Sequence, residues 1–191
     1  MVIKNKIFTQ SEIRGEDFDD TVFESCKFIC LTFKFNNFNG CIFEDCDFSE
    51  STLEATGFFG CKFPGSKLSF LDFSTTTIRN CDFVNSVAEN CIFQKLKGAS
   101  KSDRKTFDLK NSNFENSNLT GTVFFMCNLE KSNFQKSILE NAVFEKCSLE
   151  NVDFSGAKIV GCGFSECKIK KTYLDMNGFI NYGSSKGFEL K

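Results

Sequence analysis

An apolar residue stands at every fifth position over most of this chain. From Phe8 a step of five meets Ile13, Phe18, Phe23, Phe28 and Phe33 and continues to Phe93, and all eighteen positions are apolar. From Leu109 the same step runs through Phe114, Leu119 and Phe124 to Phe179; all fifteen positions are apolar, in a frame shifted by one. Two residues before each large slot lies a small one, where Cys, Ser, Thr, Ala or Val fills 26 of the 33 positions. A period of five matches neither a helix at 3.6 residues per turn nor a flat strand at 2, so each unit must join a short extended piece to a corner. Residues two apart on an extended piece point the same way, which turns both slots inward and leaves three mostly polar residues outside.

The cysteines count the sides. Cys41, Cys61 and Cys81 are spaced by 20, as are Cys127, Cys147 and Cys167, and Phe alternates with Leu or Ile from Leu109 to Ile169. A four-sided coil of twenty residues stacks like on like. The predicted fold is therefore all-β, a quadrilateral β-helix of about eight coils, and at one strand spacing per coil the rod is about 40 Å long. It occupies residues 1–179, interrupted by a basic loop or insertion at about 94–108, and is followed by a C-terminal cap and dimerisation segment at 180–191.

Composition narrows the chemistry. Phe occurs 26 times, Pro once, and Trp and His never. Without His there is no Ser-His or Cys-His nucleophile and no zinc site of the usual His-containing kind. Ten of the eleven Cys sit in small slots, all but Cys30, and none forms a close CxxC pair, so the reading expects buried free thiols, no metal, no cofactor and no catalysis. The opening MVIKNKIFTQSEI lacks an apolar core of signal-peptide length and no run approaches a membrane span, which predicts a cytoplasmic protein with no membrane partner.

Charge is uneven. Residues 1–93 carry 8 basic and 14 acidic side chains, whereas 94–108 carry 5 and 2, the basic ones being Lys95, Lys97, Lys101, Arg104 and Lys105. That segment reads either as an element contacting a partner or as a solvated insertion. The surface acids, among them Glu16, Asp17, Asp19, Asp20, Glu44 and Asp45, form no clear column at a 20-residue spacing. At the other end Leu174, Met176, Phe179, Ile180, Tyr182, Phe188 and Leu190 are too apolar for a free tail, and a solenoid needs its last coil covered. Asp175 is a candidate helix cap and Gly187 a candidate helix end.

Runs such as SNFEN, SNLTG, CNLEK, SNFQK, CSLEN and VDFSG resemble the pentapeptide-repeat consensus of a small residue, Asp or Asn, Leu or Phe, and two polar residues. The likeness covers nearly the whole chain and implies a right-handed quadrilateral β-helix. One subset of that family, the Qnr, MfpA, AlbG and McbG type, consists of cytosolic dimers that imitate duplex DNA, bind DNA gyrase and topoisomerase IV, and protect them from quinolones or gyrase toxins. The resemblance thus implies a protein partner such as gyrase or topoisomerase IV, no direct nucleic-acid contact, and a homodimer through the C-terminus. A structural scaffold of the same fold with an unrelated protein partner is the alternative.

Overall fold

The computed structural model describes residues 1–94 and 106–191. It is a right-handed β-solenoid of about eight turns with four flat faces. Strand pairing gives the turn length directly. Val22–Glu24 lies parallel to Val2–Lys4 on one side and to Ile42–Glu44 on the other, each partner twenty residues away. Ladders with the same offset run along all four faces, through short strands or single bridges. We number the faces by their central slots: face 1 at Ile3, Phe23 and Phe43, face 2 at Phe8, Phe28 and Phe48, face 3 at Ile13, Phe33 and Leu53, and face 4 at Phe18, Phe38 and Phe58.

Across the break the partners are Phe93 and Phe124, Asp82 and Asn113, thirty-one apart. Eleven residues are therefore inserted without disturbing the rod, which is narrower than the segment 94–108 expected from sequence. Gln94 still belongs to the strand Ile92–Gln94, and pairing resumes at Phe107–Asp108, opposite Cys127–Asn128.

The interior is the two slot patterns made solid. Phe rings stack coil on coil at centroid separations such as 4.9 Å for Phe23 and Phe43, 5.1 Å for Phe43 and Phe63, and 4.8 Å for Phe124 and Phe144, with edge contacts between faces. Stacked and T-shaped pairs both satisfy the ring quadrupole, so a column of Phe is a favourable filler at one strand spacing. The small slot has a second task. In most of these slots the thiol or hydroxyl faces the carbonyl of the large slot one face back on the coil below, as in Cys41 Sγ 3.3 Å from Phe18 O, Cys61 Sγ 3.2 Å from Phe38 O, Thr56 Oγ1 3.2 Å from Phe33 O and Ser66 Oγ 2.7 Å from Phe43 O, whereas Ser117, Ser132 and Ser137 donate to the preceding large slot of their own coil. Cys, Ser and Thr suit the slot because they are small and can donate.

Corners explain the other three residues. The second residue after nearly every large slot has a left-handed φ, as in Asp45 (51°), Glu50 (60°), Asn116 (57°) and Gly121 (67°). Many corners close with a bond from the next small slot to the last large one, such as Ser51 N to Phe48 O at 3.1 Å and Ser117 N to Phe114 O at 3.2 Å. A positive φ at the third residue with this 4→1 bond is the arrangement of a type II turn, which favours Gly and Asn there.

The two ends differ. At the N-terminal end α1 (Gln10–Ile13) closes the first coil. Its Glu12 carboxylate accepts from Thr9 N at 2.9 Å and from the Thr9 hydroxyl at 2.8 Å, and pairs with Lys6 at 3.0 Å; these contacts, the backbone one foremost, hold its pKa down to about 2. Lys6 Nζ in turn lies 4.6 Å from the Phe8 ring centroid. At the other end α2 (Met176–Ser185) starts from Asp175, whose carboxylate accepts from Gly178 N at 2.7 Å and from Gly156 N at 2.9 Å on the last coil. Gly187 (φ 84°) ends it, with Phe188 N bonded to Gly183 O and Gly187 N to Ser184 O, the Schellman arrangement. Among the described residues no helix is long and apolar enough to cross a membrane.

Candidate interaction surfaces

Three surfaces stand out. The first is the C-terminal end. The inward frame stops short of Phe179: Phe164 is only partly buried, Ile169 is 48% exposed, and at Phe179 the helix has taken over, leaving that ring 66% exposed. The expectation of an inward slot there fails because the covering helix has no further coil to turn into. Of the residues expected to cap the rod, Leu174 and Tyr182 do pack on the core, Tyr182 edge-on to Phe164 with centroids 5.6 Å apart. Ile180 is half-buried, while Met176, Phe188 and Leu190 are exposed alongside Phe179. Between the last coil and α2 lies a hollow of about 300 Å³ lined by Leu149, Phe154, Phe164, Ile169, Leu174 and Tyr182, among others. A second apolar groove lies beside it along Phe179, Ile180, Phe188 and Leu190. This end is apolar and half-covered, where the opposite end sets the Lys6–Glu12 pair beside exposed Met1, Val2 and Ile7.

The second surface is face 1. Glu24, Glu44 and Glu115 follow their large slots, while Asp82 and Asp153 precede theirs, on a ladder that runs Ile42, Lys62, Asp82, Asn113, Asn133, Asp153. Both positions face outward, so a strict 20-residue step through one of them misses the shared face. Lys62 and Lys136 interrupt it, and Glu24 and Glu115 are paired with Lys4 (2.6 Å) and Lys136 (3.5 Å). Elsewhere several acids are answered one coil away, as in Lys34 and Glu54 (2.8 Å), Lys110 and Glu130 (3.0 Å), and Lys170 and Glu150 (2.9 Å). Exposed pairs of this kind add little stability, but they cancel the local field.

The third is the basic segment. Lys95, Lys97, Lys101, Arg104 and Lys105 all lie outside the described residues. What the fold does place is its root, between Gln94 and Thr106 at the corner of faces 3 and 4.

Family descriptions agree with this geometry on both sides of the break: "Pentapeptide repeats (8 copies)" matches residues 8–55 and "Pentapeptide repeat region" matches residues 105–174. The chain belongs to the pentapeptide-repeat family. Among solved pentapeptide-repeat structures, a trypsin-treated variant of QnrB1, described as a plasmid-mediated fluoroquinolone resistance protein, superposes with a TM-score of 0.73 at 16% identity, covering 100% of this chain and 99% of that one. Full-length QnrB1 aligns at 0.40 and 17% identity over 97% and 94% of the two chains. HetL, a pentapeptide repeat protein involved in heterocyst differentiation regulation from the cyanobacterium Nostoc sp. strain PCC 7120, aligns at 0.39 and 15% over 91% and 87%. No curated protein matches the chain in sequence. At these identities the likeness is one of fold.

As in the repeat itself, the thiols of this pentapeptide-repeat protein are interior. All eleven Cys are free; Cys30 alone is exposed, Cys167 at the C-terminal end is half-buried and the other nine are buried. Burial pushes the Cys91 and Cys162 thiols up to about 12. Cys30 sits on a corner at φ 57° with its thiol 3.3 Å from the Glu50 carboxylate, and that hydrogen bond raises its pKa as well. A nucleophilic thiol requires the opposite shift. Among the described residues no group of three or more Cys, Asp or Glu could hold a metal ion.

Proposed function

We propose that this pentapeptide-repeat protein is a non-catalytic docking rod that pairs through its apolar end and occupies the DNA-binding surface of gyrase or topoisomerase IV. The observation that carries the reading is face 1, where carboxylates recur along the rod on most coils and Glu44, Asp82 and Asp153 form no ion pair among the described residues. A surface that binds duplex DNA is basic and spaced to meet regular negative charge, so a rod offering acids from coil to coil is complementary to it. The end-to-end superposition on a fluoroquinolone resistance protein supports the same direction. Pairing is supported by the C-terminal end, where Phe179, Phe188 and Leu190 stand exposed next to an apolar hollow. A C-terminal contact used by both copies is isologous and closes at two.

The in-register Lys–Glu pairs favour a second reading, a scaffold for a different protein, because they neutralise faces 3 and 4. Supercoiling by gyrase in vitro, with and without a quinolone, separates the two. Rescue from the drug, or inhibition in its absence, at low micromolar protein supports topoisomerase docking. No effect on gyrase or topoisomerase IV refutes it and leaves the scaffold.

A further inference from the structure

The interior thiols are stacked in columns. Cys41, Cys61 and Cys81 share one small-slot column on face 1, and Cys127, Cys147 and Cys167 share one on face 4. In the second column each sulfur is placed alike on its own coil. Cys127 Sγ lies 3.0 Å from Phe93 O and 3.6 Å from Phe125 O, Cys147 Sγ 3.1 Å from Phe124 O and 3.4 Å from Glu145 O, and Cys167 Sγ 3.3 Å from Phe144 O and 3.5 Å from Ser165 O. Sulfurs that repeat with the coil are separated by the coil spacing, about 4.8 Å. The thiols also act on one another: Cys147, chiefly through its hydrogen bond with Cys127, and Cys167, chiefly through its hydrogen bond with Cys147 and then by burial, are held well above the usual thiol range.

That separation does not fit a disulfide, but it fits another bonding pattern. Two collinear metal–thiolate bonds of about 2.3 Å each span about 4.6 Å. A soft d¹⁰ cation such as Cu(I), Ag(I) or Hg(II) accepts two thiolates in line, whereas Zn(II) takes four ligands. Among the described residues no group of three or more Cys, Asp or Glu offers such a set.

The upper pair of this column is the one a cation can reach. Cys167 is half-buried on the last coil, whereas Cys41, Cys61 and Cys81 are all buried. Charge favours the same place. Lys186 Nζ donates to Phe164 O at 3.3 Å, and its ammonium pulls the Cys167 pKa down against the two raising effects. A monovalent cation between two thiolates leaves one net negative charge in a desolvated site, and a nearby ammonium offsets it.

We infer that Cys147 and Cys167 form a two-coordinate site for a soft cation, entered from the C-terminal end of the rod. Binding forms two metal–sulfur bonds and releases one proton from each thiol, with no change of oxidation state. It gives up the S–H···O contacts of both sulfurs, which are weak because a thiol is a poor donor. The site owes nothing to the topoisomerase reading and stands or falls separately.

The test uses the full chain, reduced and in chloride-free buffer, titrated with Ag(I) and counted by native mass spectrometry. One tightly held ion per chain is expected, together with a higher thermal midpoint, since the ion binds the folded state. The ion should be lost in Cys147→Ser and in Cys167→Ser, both of which keep a small polar side chain in the slot, and retained in Cys30→Ser and Cys61→Ser. An ion that survives both of the first substitutions, or disappears with Cys30→Ser, overturns the inference. So does an ion whose binding lowers the midpoint, or one displaced by equimolar Zn(II).

Discussion

At the residue scale, one position of the repeat escapes the hydrophobic pattern altogether. The corner must adopt a positive φ, and Gly, Asn or Asp fills more than half of these corners. Where an Asx corner is followed twenty residues on by Gly, the pairing is steric as well as conformational: a Cβ on Gly65 would collide with the Asp45 carboxylate, and one on Gly161 with the Asn141 amide, whereas Gly60 has open space around it. Gly60→Ala should therefore cost only the left-handed penalty, about 1 to 2 kcal/mol in urea unfolding, and Gly65→Ala more. The excess should disappear when Gly65→Ala is combined with Asp45→Ala; a cycle without coupling would show that the corners do not read one another. The thiols give a second residue-scale outcome. In native protein near neutral pH, a thiol-specific chromogenic disulfide should titrate Cys30 first and slowly, since its hydrogen bond to Glu50 disfavours the thiolate. Cys167 should follow, and the remaining nine should react only after unfolding. Rapid reaction of several thiols in the native state would contradict a close-packed interior.

At the scale of the element, the coil was legible from sequence because two of its five positions have a single physical role each. The large slot has to be apolar and the small slot has to be small, so the 20-residue register is legible in the Cys columns. The donor role of the small slot was less visible, since Cys, Ser and Thr are chosen equally well for size. The acids of face 1 were missed because they alternate between Asp82-like and Glu44-like positions of the same strand. The end of the rod was misplaced because Leu174 and Phe179 continue the five-residue step while Asp175 caps a helix between them; the capping signal outweighs the periodicity once no further coil can be formed. The insertion is in register to the residue. Deleting residues 95–105 joins Gln94 to Thr106 and restores the twenty-residue offset between Phe93 and Phe124. The shortened protein should melt within a few degrees of the parent. Loss of folding would mean that the segment is part of the coil, and unchanged gyrase activity would remove it from the partner surface.

At the scale of the whole molecule, the rod is polar in its construction. The N-terminal end carries the Lys6–Glu12 pair, with Lys6 over the Phe8 ring, beside exposed Met1, Val2 and Ile7, so stacking of the C-terminal end on another rod's N-terminal end would set that pair against hydrocarbon. On the proposed function the C-terminal ends meet each other, an isologous contact that closes at two and repeats face 1 about a two-fold axis. The most direct test is light-scattering mass combined with small-angle X-ray scattering. The account predicts twice the 21.6 kDa chain mass in an elongated particle about 80 Å or more in length, from two rods of stacked coils at one strand spacing each, and conversion to a folded monomer by Phe179→Asp. A wild-type particle of single-chain mass, or a Phe179→Asp variant that keeps the mass of two, would contradict it.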